Sequence, residues 1–178
     1  MGERKPFSPV KLIMGVLSTH PEFHKDLYAL LEKQFGPIEE LTHPIPFTFT
    51  DYYDEEMGAS PQRFFIIFKN LINPEELVTS KLKTNRLEKQ FAVAGNRTIN
   101  LDPGILSAEN LILATTKNRG HRLPLSQGIY GEVTLMYSKK TFQSFSWTYA
   151  DYGSDAFKQL FLRIRQAYLL QLKNEVTP

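Results

Sequence analysis

The stretch VKLIMGVLSTHPEFHKDLYALLEKQFGP, residues 10–37, joins an apolar run to an amphipathic segment. The run over residues 10–17 is nearly continuous, which is typical of a strand that is buried on both faces. From Pro21 to Phe35 apolar residues recur every three or four positions. This spacing predicts a helix with Pro21 in its first turn and Gly36-Pro37 at its end. A buried strand followed by a helix is therefore the expected start of the fold.

The next segments continue the alternation of strands and helices. Residues 47–51 (FTFTD) alternate as a half-buried strand does, and residues 63–69 (RFFIIFK) predict a central strand. Asn73, with Glu76 three residues later, predicts a capping box that opens a helix running to Phe91. The apolar side of this helix is thin, and the 3.6-residue period places polar residues beside it: Lys81, Asn85 and Glu88.

Four further strands and one helix complete the expected order. The strands are predicted at residues 97–101, 110–116, 128–137 and 142–149, and an amphipathic helix is predicted from Ser154. The last two strands form a predicted hairpin around the sequence SKKT. A two-residue loop places Leu135 opposite Ser144, whereas a three-residue loop places Leu135 opposite Phe145. The second register matches the apolar pattern, so we expect it.

This order predicts an α+β protein in which residues 1–178 form a single two-layer domain. We expect a mixed, largely antiparallel sheet and about three helices. The first half suits a ferredoxin-like βαββαβ core, to which a hairpin and a helix are added. At this length, folding can bury roughly 70% of the surface of the unfolded chain, which is enough for one core.

The composition excludes several classes of function. The chain has no cysteine, which excludes disulfides, thiolate metal sites and cysteine nucleophiles. Its formal net charge of +2 gives no whole-molecule attraction for DNA or anionic membranes, so any basic site has to be local. No segment approaches the ~20 apolar residues of a membrane span, and we expect a cytoplasmic protein without a membrane partner. The common phosphate-loop, dinucleotide, hydrolase and metalloprotease motifs are also absent from the sequence.

The basic loop, residues 117–122, is the main candidate for a binding site. It follows a predicted strand and contains Lys117, Asn118, Arg119, His121 and Arg122. Arginine binds phosphate or carboxylate through two parallel N–H bonds, lysine adds a point charge, and histidine transfers protons near neutral pH. Further cations are available nearby in the sequence: Lys81, Lys83, Arg86 and the segment GNRT. A solvated turn is the alternative, because surface lysines and arginines are ordinarily solvated.

Carboxylates provide the other candidate groups. Asp102, in the segment NLDPG, is either a turn residue or a general base or metal ligand near the basic loop. Asp51 and Asp54 belong to an acidic loop that is either solvated or holds a hydrated Mg²⁺ ion. Glu132 shares a strand face with Tyr130 and is either exposed or a buried carboxylate.

Four stretches resemble a bacterial family of uncharacterised proteins, the domain of unknown function numbered 4416. They are FTFTDYYDEEMG (47–58), KTNRLE (83–88), RTINLDPGILSAENLILATTKNRGHRLPLSQGIYGEVTLMY (97–137) and WTYADY (147–152). The family has no established activity, so the resemblance implies no reaction. It implies that the polar residues of these stretches belong together: Asp51, Tyr52, Tyr53, Asp54, Lys83, Thr84, Asn85, Arg86, Asp102, Gly104, Lys117, Asn118, His121, Arg122, Tyr130 and Glu132. One shared pocket explains polar motifs in separate segments more easily than core packing does.

From these residues we expect a basic cleft that binds a phosphorylated or carboxylated small molecule, with a nucleotide among the candidates. The expected ligand-binding residues are Lys117, Asn118, Arg122, Arg86, Lys83, Tyr130 and Glu132. His121 or Asp102 would transfer a proton if the protein is an enzyme, and Mg²⁺ would take part only with a nucleotide. One alternative is a non-catalytic module that binds RNA or a protein partner through basic loops and exposed tyrosines. Another is a structural subunit in which the polar motifs only shape turns.

Overall fold

The computed structural model of the protein describes residues 2–50, 54–58 and 60–176. The strands of this part, β1 to β9 in chain order, are Val10–Ser18, Ile38–Leu41, Ile45–Pro46, Gln62–Ile72, Ile99–Leu106, Asn110–Thr115, Leu123–Ser126, Ile129–Ser138 and Thr141–Ser144. The helices α1 to α4 are His24–Phe35, Asp54–Met57, Glu76–Gln90 and Asp155–Val176. The strands form one sheet with the order β2-β4-β1-β5-β6-β8-β7, in which β3 also pairs with β4 and β9 with β8.

Strand β1 is central in the first half of this sheet, and it is buried as the sequence predicts. β4 and β5 pair with it on its two sides, both antiparallel, and all nine of its residues are buried. These strands, together with α1, β2 and α3, follow the order β1-α1-β2-β4-α3-β5. This is the element order of a ferredoxin-like unit, here with β3 and α2 inserted before β4. Strands β6 to β9 extend the sheet beyond β5.

Helices cover both faces of the sheet. Leu12 and Met14 of β1 pack on one face with Leu31 of α1 and Leu87 of α3. Ile13 lies on the opposite face, because neighbouring residues of a strand alternate between faces. There it shares a cluster with residues of α4: Phe157, Phe161, Ile164 and Tyr168. The α+β class and the antiparallel sheet are confirmed, and α4 adds a third layer to the two that we expected.

The predicted helices are confirmed, and α3 begins as its capping box predicts. The backbone N–H of Asn73 donates to Glu76 Oε1 at 3.0 Å, and the N–H of Glu75 donates to Asn73 Oδ1 at 3.0 Å. These bonds satisfy backbone donors that have no partner within the first turn of a helix. None of the helices in the described ranges is long and apolar enough to cross a lipid bilayer.

The register that we expected for the last hairpin is wrong. A two-residue turn, Lys139-Lys140, joins β8 to β9, and Leu135 lies opposite Ser144. Both lysines have positive φ angles, 49° and 65°, as a type I′ turn requires. The twist of this turn matches the twist of the strands that it joins. After Ser144 the chain turns again, so residues 145–149 are not a strand.

The strand predicted at residues 47–51 is also wrong for its described part. Residues 47–50 lie outside the strands, and the chain pairs with β4 earlier, through β2 and β3. Phe47 is buried in a small separate cluster with Leu17 and Met57, so its burial does not depend on strand alternation. Asp51 lies outside the described residues.

Strands β5 and β7 differ from the sequence prediction in a way that affects the candidate site. β5 continues through Pro103 and Gly104, so the segment NLDPG is not a turn and that interpretation is wrong. The sequence analysis did not predict β7, because its four residues are all exposed and include Pro124. This short strand at the edge of the sheet follows the basic loop directly.

Candidate functional site

An opening in the sheet between β5 and β6 forms the candidate site. The two strands pair only where Gly104 to Leu106 meet Leu111 to Leu113. Before this point β5 pairs with β1 alone, and after it β6 pairs with β8 alone. A first cavity of about 400 Å³ lies at this opening, with walls from α3, β5, the end of β6 and the segment that precedes α4.

Two buried, charged residues of α3 form one wall of the first cavity. Lys81 Nζ donates to the carbonyl oxygen of Leu101 at 2.8 Å, and Glu88 Oε1 accepts the Leu101 N–H at 2.7 Å. Both side chains are therefore fixed to the same residue of β5. Lys81 Nζ lies 3.8 Å from Asp102 Oδ1 and 3.9 Å from Glu88 Oε1, which is beyond direct hydrogen bonding. Burial raises the pKa of the Glu88 carboxyl above its usual value, and the Lys81 charge opposes that rise.

Arg63 of β4 lines the first cavity and is only 4% exposed. Its Nε lies 3.0 Å from Asp151 Oδ2, and its Nη1 lies 3.7 Å from Asp102 Oδ2. Its guanidinium lies 5.3 Å from the ring centroid of Phe47 and 5.7 Å from that of Tyr152. Burial raises the pKa of the Asp151 carboxyl, and the Arg63 charge opposes this effect. The guanidinium is thus held in position by two rings and a buried carboxylate.

Tyr152 also lines the first cavity. Tyr152 is 2% exposed, and its hydroxyl has no hydrogen-bond partner among the described residues. The hydroxyl lies against Gly15 of β1, where a Cβ atom would overlap it. Burial raises the Tyr152 pKa well above its ordinary value, so the hydroxyl stays protonated at neutral pH and can donate a hydrogen bond. A buried polar group without a partner requires an explanation, because leaving it unpaired costs about 1–3 kcal/mol.

A second cavity, of about 430 Å³, adjoins the first. Arg63, Lys117 and Tyr149 line both cavities, so the two share a wall. The second cavity differs from the first in its aromatic lining, which includes Phe47 and Phe49. Arg119 and Arg122 of the basic loop complete its positive side.

Arg122 lines the second cavity, but its N–H groups bind the protein itself. Nε donates to Glu132 Oε2 at 2.7 Å, Nη1 to the Lys117 carbonyl oxygen at 2.8 Å, and Nη2 to the Tyr149 hydroxyl at 3.0 Å. Burial acts to lower the Arg122 pKa, but the hydrogen bond with Glu132 and the neighbouring charges raise it overall. Arg122 therefore positions Lys117 and Tyr149 at the cavities, and three of its five N–H groups are already bonded within the protein.

His121 is held in the same way by Glu132, which is a buried carboxylate. Glu132 is 1% exposed, and His121 Nε2 lies 2.9 Å from its Oε2. The His121 ring stacks on Trp147, with centroids 5.0 Å apart. Neither His121 nor Glu132 lines the two large cavities. Glu132 lines a small cavity of about 30 Å³, together with Asp102 and Arg122.

The structure brings some of the other predicted residues to the cavities and leaves others outside. Asp102 lines the first cavity and accepts a hydrogen bond from Asn100 Nδ2 at 2.7 Å, and Lys117 lines both. Lys83 lies outside the two cavities, and its Nζ donates to the Gln34 carbonyl oxygen at 3.1 Å. Three further predicted residues do not line either cavity: Arg86, Asn118 and Tyr130.

The structure does not describe the side chains of the predicted metal ligands. Asp51 and the side chain of Asp54 lie outside the described part of the chain, although the Asp54 backbone begins α2. Among the residues that the structure describes, no group of three or more His, Asp and Glu side chains is placed to hold a metal ion.

The cavity residues that the sequence did not single out include Arg63, Tyr149, Asp151 and Tyr152. Arg63 carries the clearest signal that was available. It precedes the apolar run FFIIF, and a charged residue in a buried strand is almost always paired with an opposite charge. The segment WTYADY, already noted for its resemblance, supplies the other three residues.

These features define an α+β protein with an extended ferredoxin-like sheet and a charged cavity at an opening between two of its strands. The family described as "Domain of unknown function (DUF4416)" matches residues 8–168, and the chain belongs to this family. No curated protein and no solved structure matches the chain. The family resemblance found in the sequence is confirmed, and the site has to be interpreted from its own chemistry.

Proposed function

We propose that the protein binds a phosphorylated or carboxylated small molecule in the two adjoining cavities, with a nucleotide as one candidate. The observation that carries the proposal is the local excess of positive charge. The described residues that line the two cavities include seven lysines and arginines against three carboxylates, an excess of four. The whole chain has a net charge of only +2. Arg97 and Arg122 are paired with Glu56 and Glu132, which lie outside this lining, so the excess is two when these partners are counted. This excess lies in one small part of the chain.

Burial makes this charge effective. Lys81 and Arg63 are buried, and the field of a buried charge is screened by water and salt much less than that of an exposed one. The nearest carboxylate of Lys81 lies 3.8 Å away, so the ammonium group has capacity for a closer anionic partner. Volumes of about 400 and 430 Å³ fall within the range of small-molecule sites. A concave site of this size supports a small ligand over a nucleic acid strand.

If the protein catalyses a reaction, Asp102 is the proton-transfer candidate that the cavity favours. Its carboxylate lines the first cavity beside Lys81 and Arg63. His121 is directed at Glu132 and stacked on Trp147, which favours a role in shaping the basic loop.

The test is a thermal-shift measurement of the protein against inorganic phosphate, sugar phosphates, nucleotides and carboxylates, each with and without Mg²⁺. A ligand that binds the folded state alone raises the melting temperature by mass action. The informative variant is Lys89→Gln/Lys117→Gln, since both lysines line the first cavity. Removing two charges at the cavity should weaken binding by about fivefold to tenfold.

The matched control is Lys25→Gln/Lys33→Gln, which removes the same net charge from exposed positions on α1. A ligand-induced shift that falls in the cavity variant and persists in the control supports the proposal. Equal losses in both would mean a non-specific attraction to the whole molecule. A flat panel, combined with a steeply salt-dependent titration of single-stranded RNA, would contradict the proposal and favour a macromolecular partner.

A further inference from the structure

We propose that the ligand has two unlike ends: a phosphate group that occupies the first cavity and a planar, apolar group that occupies the second. This inference rests on the proposed function and specifies its ligand class as phosphate monoesters of a planar group. It follows from Phe47 and Phe49, which line the second cavity and not the first, and from Lys81 and Tyr152, which line the first and not the second. The wall that the two cavities share connects them.

The first cavity is suited to a small, highly charged group. Apart from Ala92 and Gly95, every residue that lines it has a side chain with a nitrogen or oxygen atom. Five of these residues are lysines or arginines and two are carboxylates, and Arg97 and Arg63 are paired with Glu56 and Asp151 outside this lining. A phosphate dianion suits such a lining because it brings two charges and three acceptor oxygens to the remaining donors.

Two residues of the first cavity, Tyr152 and Lys81, have donor groups that suit a phosphate. The Tyr152 hydroxyl is buried, protonated and without a hydrogen-bond partner among the described residues. Lys81 Nζ makes one close bond, to the Leu101 carbonyl oxygen, and its neighbouring carboxylates are 3.8 and 3.9 Å away. A phosphate oxygen that reaches either group would accept a hydrogen bond from it. The cost of a buried hydroxyl without a partner is removed when the ligand is bound.

The second cavity is suited to a ring. Phe47, Phe49 and Tyr149 line it, and the Phe47 and Phe49 ring centroids are 5.7 Å apart. Phe49 is 43% exposed although it is a large apolar residue, so a face of its ring is accessible. Aromatic rings in this arrangement accept another planar group by offset stacking or edge-to-face contact.

The junction between the cavities keeps the two ends of the ligand in one continuous site. Arg63, Lys117 and Tyr149 each line both cavities. The Tyr149 hydroxyl accepts a hydrogen bond from Arg122 Nη2, which leaves its own proton for donation to the bridging oxygen of an ester. Burial raises the pKa of Tyr149, which keeps that proton in place at neutral pH.

The experiment compares the binding of methyl phosphate and phenyl phosphate by isothermal titration calorimetry. The two probes share the phosphate group and differ in the ring. We expect phenyl phosphate to bind about tenfold more tightly, which is the affinity that one good ring contact provides. Phe49→Ala should remove this advantage and leave the affinity for methyl phosphate unchanged. Phe7→Ala, at an exposed phenylalanine before β1, is the matched control and should change neither affinity.

Tyr152→Phe tests the phosphate end separately. This variant should fold normally, because it removes a buried hydroxyl that has no hydrogen bond in the described structure. It should weaken both probes by the same factor, about tenfold, which is typical of a hydrogen bond to a charged group. Unchanged affinity for both probes would place the phosphate elsewhere and overturn the inference.

Failure of this inference and failure of the proposed function give different results. If the two probes bind equally, or if carboxylates bind and phosphate esters do not, the two-ended ligand is wrong and an anion site remains. If neither the probes nor any member of the phosphate and carboxylate panel binds, both proposals are wrong.

Discussion

Replacement of Arg122 by alanine should destabilise the protein strongly, although this residue looks like a ligand-binding group in the sequence. The Arg122 side chain is 6% exposed and donates three hydrogen bonds, the shortest of them to the buried carboxylate of Glu132. Removing one partner of a buried ion pair costs about 3–5 kcal/mol, because the remaining charge is left in a poorly solvating environment. His121 Nε2 still lies 2.9 Å from the same oxygen, so we expect a loss near the lower limit, about 3 kcal/mol.

The assay is the free energy of unfolding in urea, with the melting temperature as a second measure. A loss of about 3 kcal/mol corresponds to a fall of roughly 6–12 °C for a chain of this size. Arg119→Ala is the matched control, since Arg119 is an exposed arginine of the same loop, and it should change stability by less than about 0.5 kcal/mol. The double variant Arg122→Met/Glu132→Leu removes both charges and should be more stable than Arg122→Ala.

A loss of less than about 1 kcal/mol in Arg122→Ala, the range of exposed ion pairs, would refute this reasoning. The Arg122–Glu132 pair would then not be a buried structural contact. In that case Arg122 would again be a candidate for direct contact with an anion, as its position in the basic loop suggested.

Three further predictions concern packing, titration and the last hairpin. Gly15→Ala should destabilise the protein by about 1–3 kcal/mol in urea unfolding, since the new Cβ overlaps the Tyr152 hydroxyl, and should cost much less in a Tyr152→Phe background. Because burial raises the Glu88 pKa above 4.5, the folded state binds this proton more tightly than the unfolded state. The wild type should therefore lose stability as pH rises from 4.5 through the raised value, and Glu88→Gln should lose less in melts over that range. Replacing Lys139-Lys140 by Asn-Gly should raise the free energy of unfolding by about 1 kcal/mol, because both positions have positive φ.

Each of these predictions has a result that would contradict it. An equal cost of Gly15→Ala with and without the Tyr152 hydroxyl would show that the two groups do not meet. Parallel pH profiles for the wild type and Glu88→Gln would mean that Glu88 titrates as it does in the unfolded chain. A destabilised Asn-Gly variant would argue against the two-residue turn.

The parts of the fold that could be predicted from the sequence are those in which local preference and burial agree. β1 has a continuous apolar run and is buried on both faces, and α3 begins at a capping box whose two bonds both form. The hairpin at Lys139-Lys140 was mispredicted because apolar pairing was given more weight than turn geometry. Lysine rarely adopts positive φ, so the turn carries little signal in the sequence.

The candidate site was harder to predict, because some of its charged residues bind other residues of the protein whereas others line the cavities. Residues of the basic loop such as Arg122 and His121 bind the buried Glu132, and this partner is ten or eleven positions away along the chain. Lys81 and Glu88 on the thin apolar side of α3 were visible as a polar stripe, but their burial depends on the opening between β5 and β6. Whether two neighbouring strands separate in this way depends on the tertiary structure.

The origin of that opening can nevertheless be traced to the sequence Asp102-Pro103-Gly104. Gly104 stands on the last paired rung with β6, where a Cβ atom would lie 2.6 Å from Leu113 Cδ2, so a close approach of the two strands needs glycine there. Pro103, the residue before Gly104, lies where β5 and β6 are no longer paired. Proline has no N–H to donate to a neighbouring strand. Asp102 is the next side chain beyond Pro103, and its carboxylate lies within 3.8 Å of Lys81 and Arg63. These three residues thus let β5 and β6 pair at Gly104 and separate at Asp102, where the charged cavity lies. This explains why a segment that resembles a turn lies in the middle of a strand.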